Sequence, residues 1–293
     1  MLNHPRGSGL LGWVAIQYGA DVPRGSVNLL NLATGENESV ELDGRPGFFA
    51  ETTTPGVVLV GMERRLVLVN LVTGAVEETG ITATDDERVI INDGLAVEGG
   101  VLFGTKHLNF ELPIAGLYFF DSATRKVHQV LDKQICSNGK ILTRDTEGAT
   151  LVDIDSRPKT IGWYQLDAEL TTVLSHRVLR DPASLPGFPD GLRAAPGGGV
   201  VVAFYNPEAV SDGLAQHVCL DTGAILAEWV FPGSPRVTCP EFVEIEGRVK
   251  IVCTTAVEGM PEDIRKIARG AGAMYIADTP FTKIPDRPPL VAV

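Results

Sequence analysis

The stretch GFPDGLRAAPGGGVVVAFYNP, residues 187–207, decides the fold. Phe188-Pro189-Asp190-Gly191 reads as a turn, and the valine-rich run behind the glycines has the length and composition of a strand. The same pairing of a small polar residue with glycine stands upstream at Asn92-Asp93-Gly94 and Ser137-Asn138-Gly139. Asn92 to Asn138 is 46 residues, Asn138 to Asp190 is 52, and Asp190 to Thr238 is 48. A period of roughly 40–50 residues with about four strands per unit marks β-propeller blades, and 293 residues at that period make about six of them.

The rest of the chain has the same texture. LLGWVAIQY (10–18), SVNLLNL (26–32), GVVLVG (56–61), RLVLVNL (65–71), GGVLFGT (99–105), GLYFFD (116–121), VKIVCTT (249–255) and AMYIAD (273–278) are short apolar runs bounded by turn formers. PEDIRKIARG (261–270) is the one convincing helical segment. A second repeat, NLATG (31–35), NLVTG (70–74), DSATR (121–125) and LDTG (220–223), follows apolar strands as hairpin turns between outer strands would. The expected fold is all-β, a six-bladed β-propeller in a single domain over 1–293, with a β-sandwich or a two-domain all-β chain as the alternative. GSGLLGW (7–13) reads as the end of a blade's first hairpin, so the first inner strand is expected to be missing at the N-terminus.

A formal net charge of -12 repels phosphate backbones and argues against nucleic acid as a partner. It suits a protein that gathers divalent cations, although acidic surfaces also serve solubility. No apolar run approaches the ~18 residues of a membrane helix, and the N-terminus has no pattern of charged and apolar regions that a secretion signal needs. Cys136, Cys219, Cys239 and Cys253 form no CxxC pair and read as reduced thiols. The expected location is cytoplasmic.

In a propeller the innermost strand of every blade lines one channel, so Asn92, Asn138 and Asp190 converge at one mouth. One carboxylate with amide oxygens makes a hard, oxygen-rich site suited to Ca²⁺, Mg²⁺, Mn²⁺ or Zn²⁺. IINDGLAVEGGVLFGT (90–105), ICSNGKIL (135–142), LVDIDSRPKTIGWYQLD (151–167) and FPDGLRAAPGGGVVVAFYNP (188–207) resemble successive blades of the gluconolactonase/regucalcin/luciferin-regenerating family over about residues 10–281. The resemblance implies one divalent metal at the channel mouth, held by Asn138 and Asp190, with Asp190 also the base that activates water. It implies that Asn92 touches substrate, that the substrate is a lactone or related cyclic ester, and that the metal polarises the carbonyl. No GxSxG motif offers a nucleophilic serine instead.

Two departures stand out. The family's other metal ligand is a glutamate in an EGP-type motif about a dozen residues before a strand like WVAI (13–16). Here no glutamate precedes Glu36, and Asn3-His4-Pro5-Arg6 is a poor imitation. Glu51 or Glu241 could substitute, or the site is incomplete. Second, sugar-lactone members often carry arginine two residues before the NDG asparagine, where this chain has Ile90. That apolar position implies a less polar substrate. The segment GTKHLNFELPIAG (104–116) reads as a lid loop offering Lys106, His107, Asn109 and Glu111 for substrate contact. Asp93 reads as a turn or backbone cap, Asp153 and Asp155 as ties at a strand edge, and Cys136 and Cys239 as packing near the channel. A non-catalytic propeller that binds Ca²⁺ or a small ligand, or offers a face to a protein partner, remains the second reading. A third is isomerisation of a metabolite at the same metal.

Overall fold

The computed structural model describes residues 2–3, 9–19, 21–144, 146 and 148–293. Six antiparallel sheets follow one another along the chain. Blade one contains β1 (Leu2–Asn3), β2 (Leu10–Ala15), β3 (Gly25–Asn31) and β4 (Asn37–Leu42). Blade two contains β5 (Pro46–Glu51), β6 (Val57–Met62), β7 (Arg65–Asn70) and β8 (Val76–Thr82). Blade three contains β9 (Val89–Val97), β10 (Gly100–His107), β11 (Ala115–Asp121) and β12 (Lys126–Gln134). Blade four contains β13 (Ser137–Arg144), β14 (Ala149–Asp155), β15 (Thr160–Leu166) and β16 (Val173–Val178). Blade five contains β17 (Phe188–Ala194), β18 (Val200–Tyr205), β19 (Gly213–Val218) and β20 (Ile225–Phe231). Blade six has three strands, β21 (Val237–Ile245), β22 (Arg248–Thr255) and β23 (Tyr275–Asp278), with α1 (Glu262–Ile267) between the last two. The six-bladed β-propeller expected from the period is the observed fold.

The first sheet begins with a strand of two residues. The short β1 pairs with β2 through Leu2↔Gly12 and Asn3↔Leu11. The NHPR segment beyond Asn3 lies outside the described residues.

Hydrophobic patterning follows the radial position of each strand. Second strands such as β18 (VVVAFY) are packed on both faces by neighbouring blades and are buried nearly throughout, so they read as continuous apolar runs. Outer strands such as β16 (VLSHRV) are exposed along their length and carry charged or polar side chains that blunt an open sheet edge. The core lies between blades: Phe48 and Leu59 of blade two pack with Ile91, Phe103 and Phe120 of blade three. Removing any one of these rings costs about 3–5 kcal/mol in a core of this density.

The second sequence repeat falls at the expected hairpins. Asn31 Oδ1 accepts the N–H groups of Ala33 and Thr34, Asn70 those of Val72 and Thr73, and Asp121 those of Ala123 and Thr124. Each side chain satisfies a turn that ends at a positive φ, at Gly35 (75°), Gly74 (72°) and Arg125 (58°). This turn stands between the third and fourth strands of its blade.

The triplets at Asn92, Asn138 and Asp190 are a different device. Asn138 and Asp190 sit inside the inner strands, at places where pairing with the second strand slips. The register breaks between Ser137 and Lys140 and between Pro189 and Leu192, and β10 breaks opposite Asp93 and Ile91. PDG is therefore a β-bulge in a strand rather than a turn before one. A bulge re-aims a side chain that a regular strand would pair, here into the channel. The glycines serve close approach between inner strands: a Cβ on Gly191 would stand 2.7 Å from Thr238 O, and one on Gly139 would collide with the backbone of Leu192.

Candidate functional site

The three bulge residues lie near the starts of neighbouring inner strands and are joined by hydrogen bonds. Asn92 Nδ2 donates to Ser137 O at 3.0 Å, tying blade three to blade four. Asn138 Nδ2 donates to Ser156 Oγ at 3.0 Å, and Ser156 Oγ donates to Pro189 O at 2.6 Å. This relay fixes the backbone immediately before Asp190, whose carboxylate the Asn138 amide also meets. Asn92 and Asn138 are 7% and 8% exposed. Both amides also touch Cys136 Sγ, at 3.7 and 3.8 Å. Burial pushes that thiol up to about 12, which fits packing rather than nucleophilic work.

The Asp190 carboxyl is pushed up to about 8, first by burial, then by the negative charge of Asp93, with a smaller push from Glu258. Lys106 and the Asn138 amide pull the other way. No ion pair reaches Asp190 within 4 Å among the described residues. A carboxyl in this state favours a cation placed beside it, because the cation would offset both burial and like-charge repulsion. Asp190 and Asn138 supply one carboxylate and one amide oxygen, hard donors that fit Ca²⁺, Mg²⁺ or Mn²⁺ with water and substrate oxygens completing the shell. They fit Zn²⁺ less well, because Zn²⁺ sites are built mainly from imidazole and thiolate. Among the described residues no group of three or more His, Cys, Asp or Glu side chains could hold a metal.

Below the mouth the channel charges are matched. Lys140, 2% exposed, donates through Nζ to Asp93 Oδ2 at 2.9 Å and to Asn138 O. Asp93 is thus a channel ion-pair partner, not a turn cap. Asp155 accepts the N–H groups of Ile135 and Cys136, and Asp153 accepts from Gln134 Nε2 (2.6 Å) and Ser137 Oγ (3.2 Å). Both tie β14 to the start of β13, as the sequence suggested.

The remaining expected residues are placed less simply. Ile90 stands two residues before Asn92 but is 1% exposed, so it is shut in rather than open to substrate. His107 is 3% exposed, and its Nδ1 accepts the N–H groups of Glu111 and Leu112, which organises the loop that follows. Glu111 is exposed on that loop. The lid begins later than expected, because β10 continues to His107 and carries Lys106 on a strand opposite Ile90. The two substitutes for the family's glutamate are elsewhere. Glu51 ends β5 at the far end of the channel, its backbone C=O accepting the N–H of Val291, and Glu241 holds Arg193 in the channel interior. Glu258, which no sequence signal singled out, is a second carboxylate, weaker in effect than Asp93, whose charge reaches Asp190.

Residues 5–256 match the model of the SMP-30/Gluconolactonase/LRE-like region. The chain belongs to this family. An uncharacterised protein of Sulfolobus acidocaldarius is 30% identical over 154 residues, a match covering 52% of this chain and 53% of that protein, so it spans about half of each. The calcium-binding protein regucalcin of Agrobacterium tumefaciens superposes with a TM-score of 0.78 at 19% identity, over 98% of this chain and 90% of that one. A luciferin-regenerating enzyme gives 0.76 at 17% identity, over 97% and 96%. A gluconolactonase of Xanthomonas campestris gives 0.55 at 14% identity, over 77% and 78%. At these identities the structural likeness establishes the shared propeller, while the family match extends to the blades that carry Asn92, Asn138 and Asp190. Among the described residues no helix is long and apolar enough to cross a membrane.

Proposed function

We propose that this family member is a divalent-metal-dependent hydrolase of a lactone or related cyclic ester. The observation that carries the proposal is the convergence of Asp190 and Asn138 at bulges of adjacent inner strands, linked through Ser156 at one mouth of the channel. A cation held by Asp190 and Asn138 would supply Lewis-acid polarisation of the carbonyl and acidify water there. Asp190 accepts the proton of the attacking water, which adds to the carbonyl carbon. Collapse of the tetrahedral adduct breaks the ring C–O bond, and the proton passes to the departing alkoxide. The Ser156 relay holds Asp190 and Asn138 in register during these steps. Asn92, with its Nδ2 committed to Ser137 O, offers Oδ1 to accept from a substrate hydroxyl or water. The name of the X. campestris relative, a gluconolactonase, supports this reading.

The test is hydrolysis of a panel of lactones with and without chelator, alongside Asp190→Ala. Undiminished turnover in the variant sinks the mechanism. A calcium-binding propeller without catalysis is the second reading, favoured by the likeness to regucalcin. Tight binding of one ion with no turnover of any ester would select it. A cytoplasmic location belongs to the proposal too, supported by four free cysteines.

A further inference from the structure

The acidic chain concentrates cations on one side of the mouth. Lys106 is 8% exposed, and its Nζ stands 5.3 Å from the centroid of the Phe110 ring. Its charge is felt at both Asp190 and Cys136, so the ammonium faces the site. Phe110 O accepts from Arg157 Nε at 3.1 Å. Arg157 in turn lies over the Phe188 ring at 5.3 Å, and Lys159 over the same ring at 5.4 Å. Lys106, Arg157 and Lys159 thus form one arc, linked through two aromatic rings. None has a carboxylate within 4 Å among the described residues.

The arc is built into the site rather than scattered beside it. Phe188 precedes Pro189 and Asp190 on β17, and the Lys159 N–H donates to Ser156 O, on the residue that holds Asn138. Lys106 meets the charge of Asp190 only from beyond ion-pair distance, and a nearly buried ammonium gains from an anion placed in direct contact with it. The two outer cations, Arg157 and Lys159, are both held over the Phe188 ring beside Asp190.

We propose that the ligand taken by this mouth carries an anionic group, a carboxylate or a phosphate, which binds the Lys106–Arg157–Lys159 arc while its ring lies near Phe110 and Phe188. This rests on the lactonase reading for the reacting group, but the anion site stands on its own geometry. Lys106 then supplies, from β10, a polar contact at the channel edge beside the closed-in Ile90.

Calorimetric titration with glucose 6-phosphate, glucuronate and glucose tests it, using wild type, Lys106→Met, and Arg157→Gln with Lys159→Gln. None of the three sugars is a lactone, so binding is read independently of turnover. Wild type should bind both charged sugars at least about tenfold more tightly than glucose at low salt, with the preference shrinking as salt rises. Each variant should lose most of that preference while keeping its melting temperature. A preference for the phosphate alone or the carboxylate alone would name the group. Equal affinity for all three sugars, no binding of any, or a preference that survives both variants would overturn the proposal. Lactones left intact by a protein that still selects charged sugars would remove the hydrolase reading and leave the anion site standing.

Discussion

The two ends of the channel are made by the same six strands, yet they are built differently. At the mouth, the inner strands are bulged, Asn92, Asn138 and Asp190 turn inward, and Asp190 and Lys106 have no ion-pair partner within 4 Å among the described residues. At the other end the strands are in regular register, and the segment around Ile284–Pro289 covers them over a cavity of about 450 Å³. Val291 is buried in the core between blades two and three, with its N–H donating to Glu51 O and its C=O accepting from Thr53. Arg193 is paired there with Glu241. The contrast separates two uses of a strand: pairing regularly to stabilise, and slipping register to present a side chain.

Four substitutions separate the two ends. Asp190→Ala should lower lactone turnover by ~10³-fold or more, because on the proposed mechanism it removes a metal oxygen and the base together, while thermal unfolding shows the fold intact. Gly191→Ala comes next: its Cβ would meet Thr238 O at 2.7 Å, so inner strands five and six must part. Denaturant unfolding should show a loss of about 1–3 kcal/mol, together with weaker metal affinity. Val291→Ala acts at the covered end and should cost about 2 kcal/mol of stability while kcat/KM stays near wild type. A catalytic loss as large as the stability loss would show that the two ends are not independent.

The smallest effect concerns Glu51, whose carboxyl burial pushes up to about 7 against a partial pull from Arg287. Its folded value lies above its ordinary 4.5, so its contribution to stability is greatest below that value and is lost as pH rises toward and through 7. Glu51→Gln should therefore raise the melting temperature by about 2 °C at pH 8, with little change at pH 4. An equal shift at both pH values would point to packing instead.

The blade count was legible because the Asx turns and the polar-glycine triplets recur with the period of a blade, and both have local physical causes. The bulge at Asp190 was not legible as a bulge. A turn and a slipped strand share the same residues, and only the partner strand distinguishes them. Asn92, Asn138 and Asp190 could be gathered from their spacing alone. His107 and Ile90 could not be placed, since their burial depends on where β10 ends and on the loop folded back over it. Lys106 appeared in the sequence as a lid residue, but its strand register makes it a neighbour of Ile90 instead. Glu51 and Glu241 were named only for being acidic, and their depth along the channel excludes them from the mouth. The sequence contained no clue to Glu258, because the loop after β22 meets blade five only in the closed ring.

The central claim is that Asp190 and Asn138 together hold one cation on which hydrolysis depends. The most direct test is a titration of chelator-stripped protein with Mg²⁺, Mn²⁺ or Ca²⁺ while lactone hydrolysis is recorded. Turnover should be absent from stripped protein and return to a plateau at one ion per chain, but should not return in Asn138→Ala or Asp190→Ala. Stripped protein that hydrolyses the lactone at an undiminished rate would contradict it.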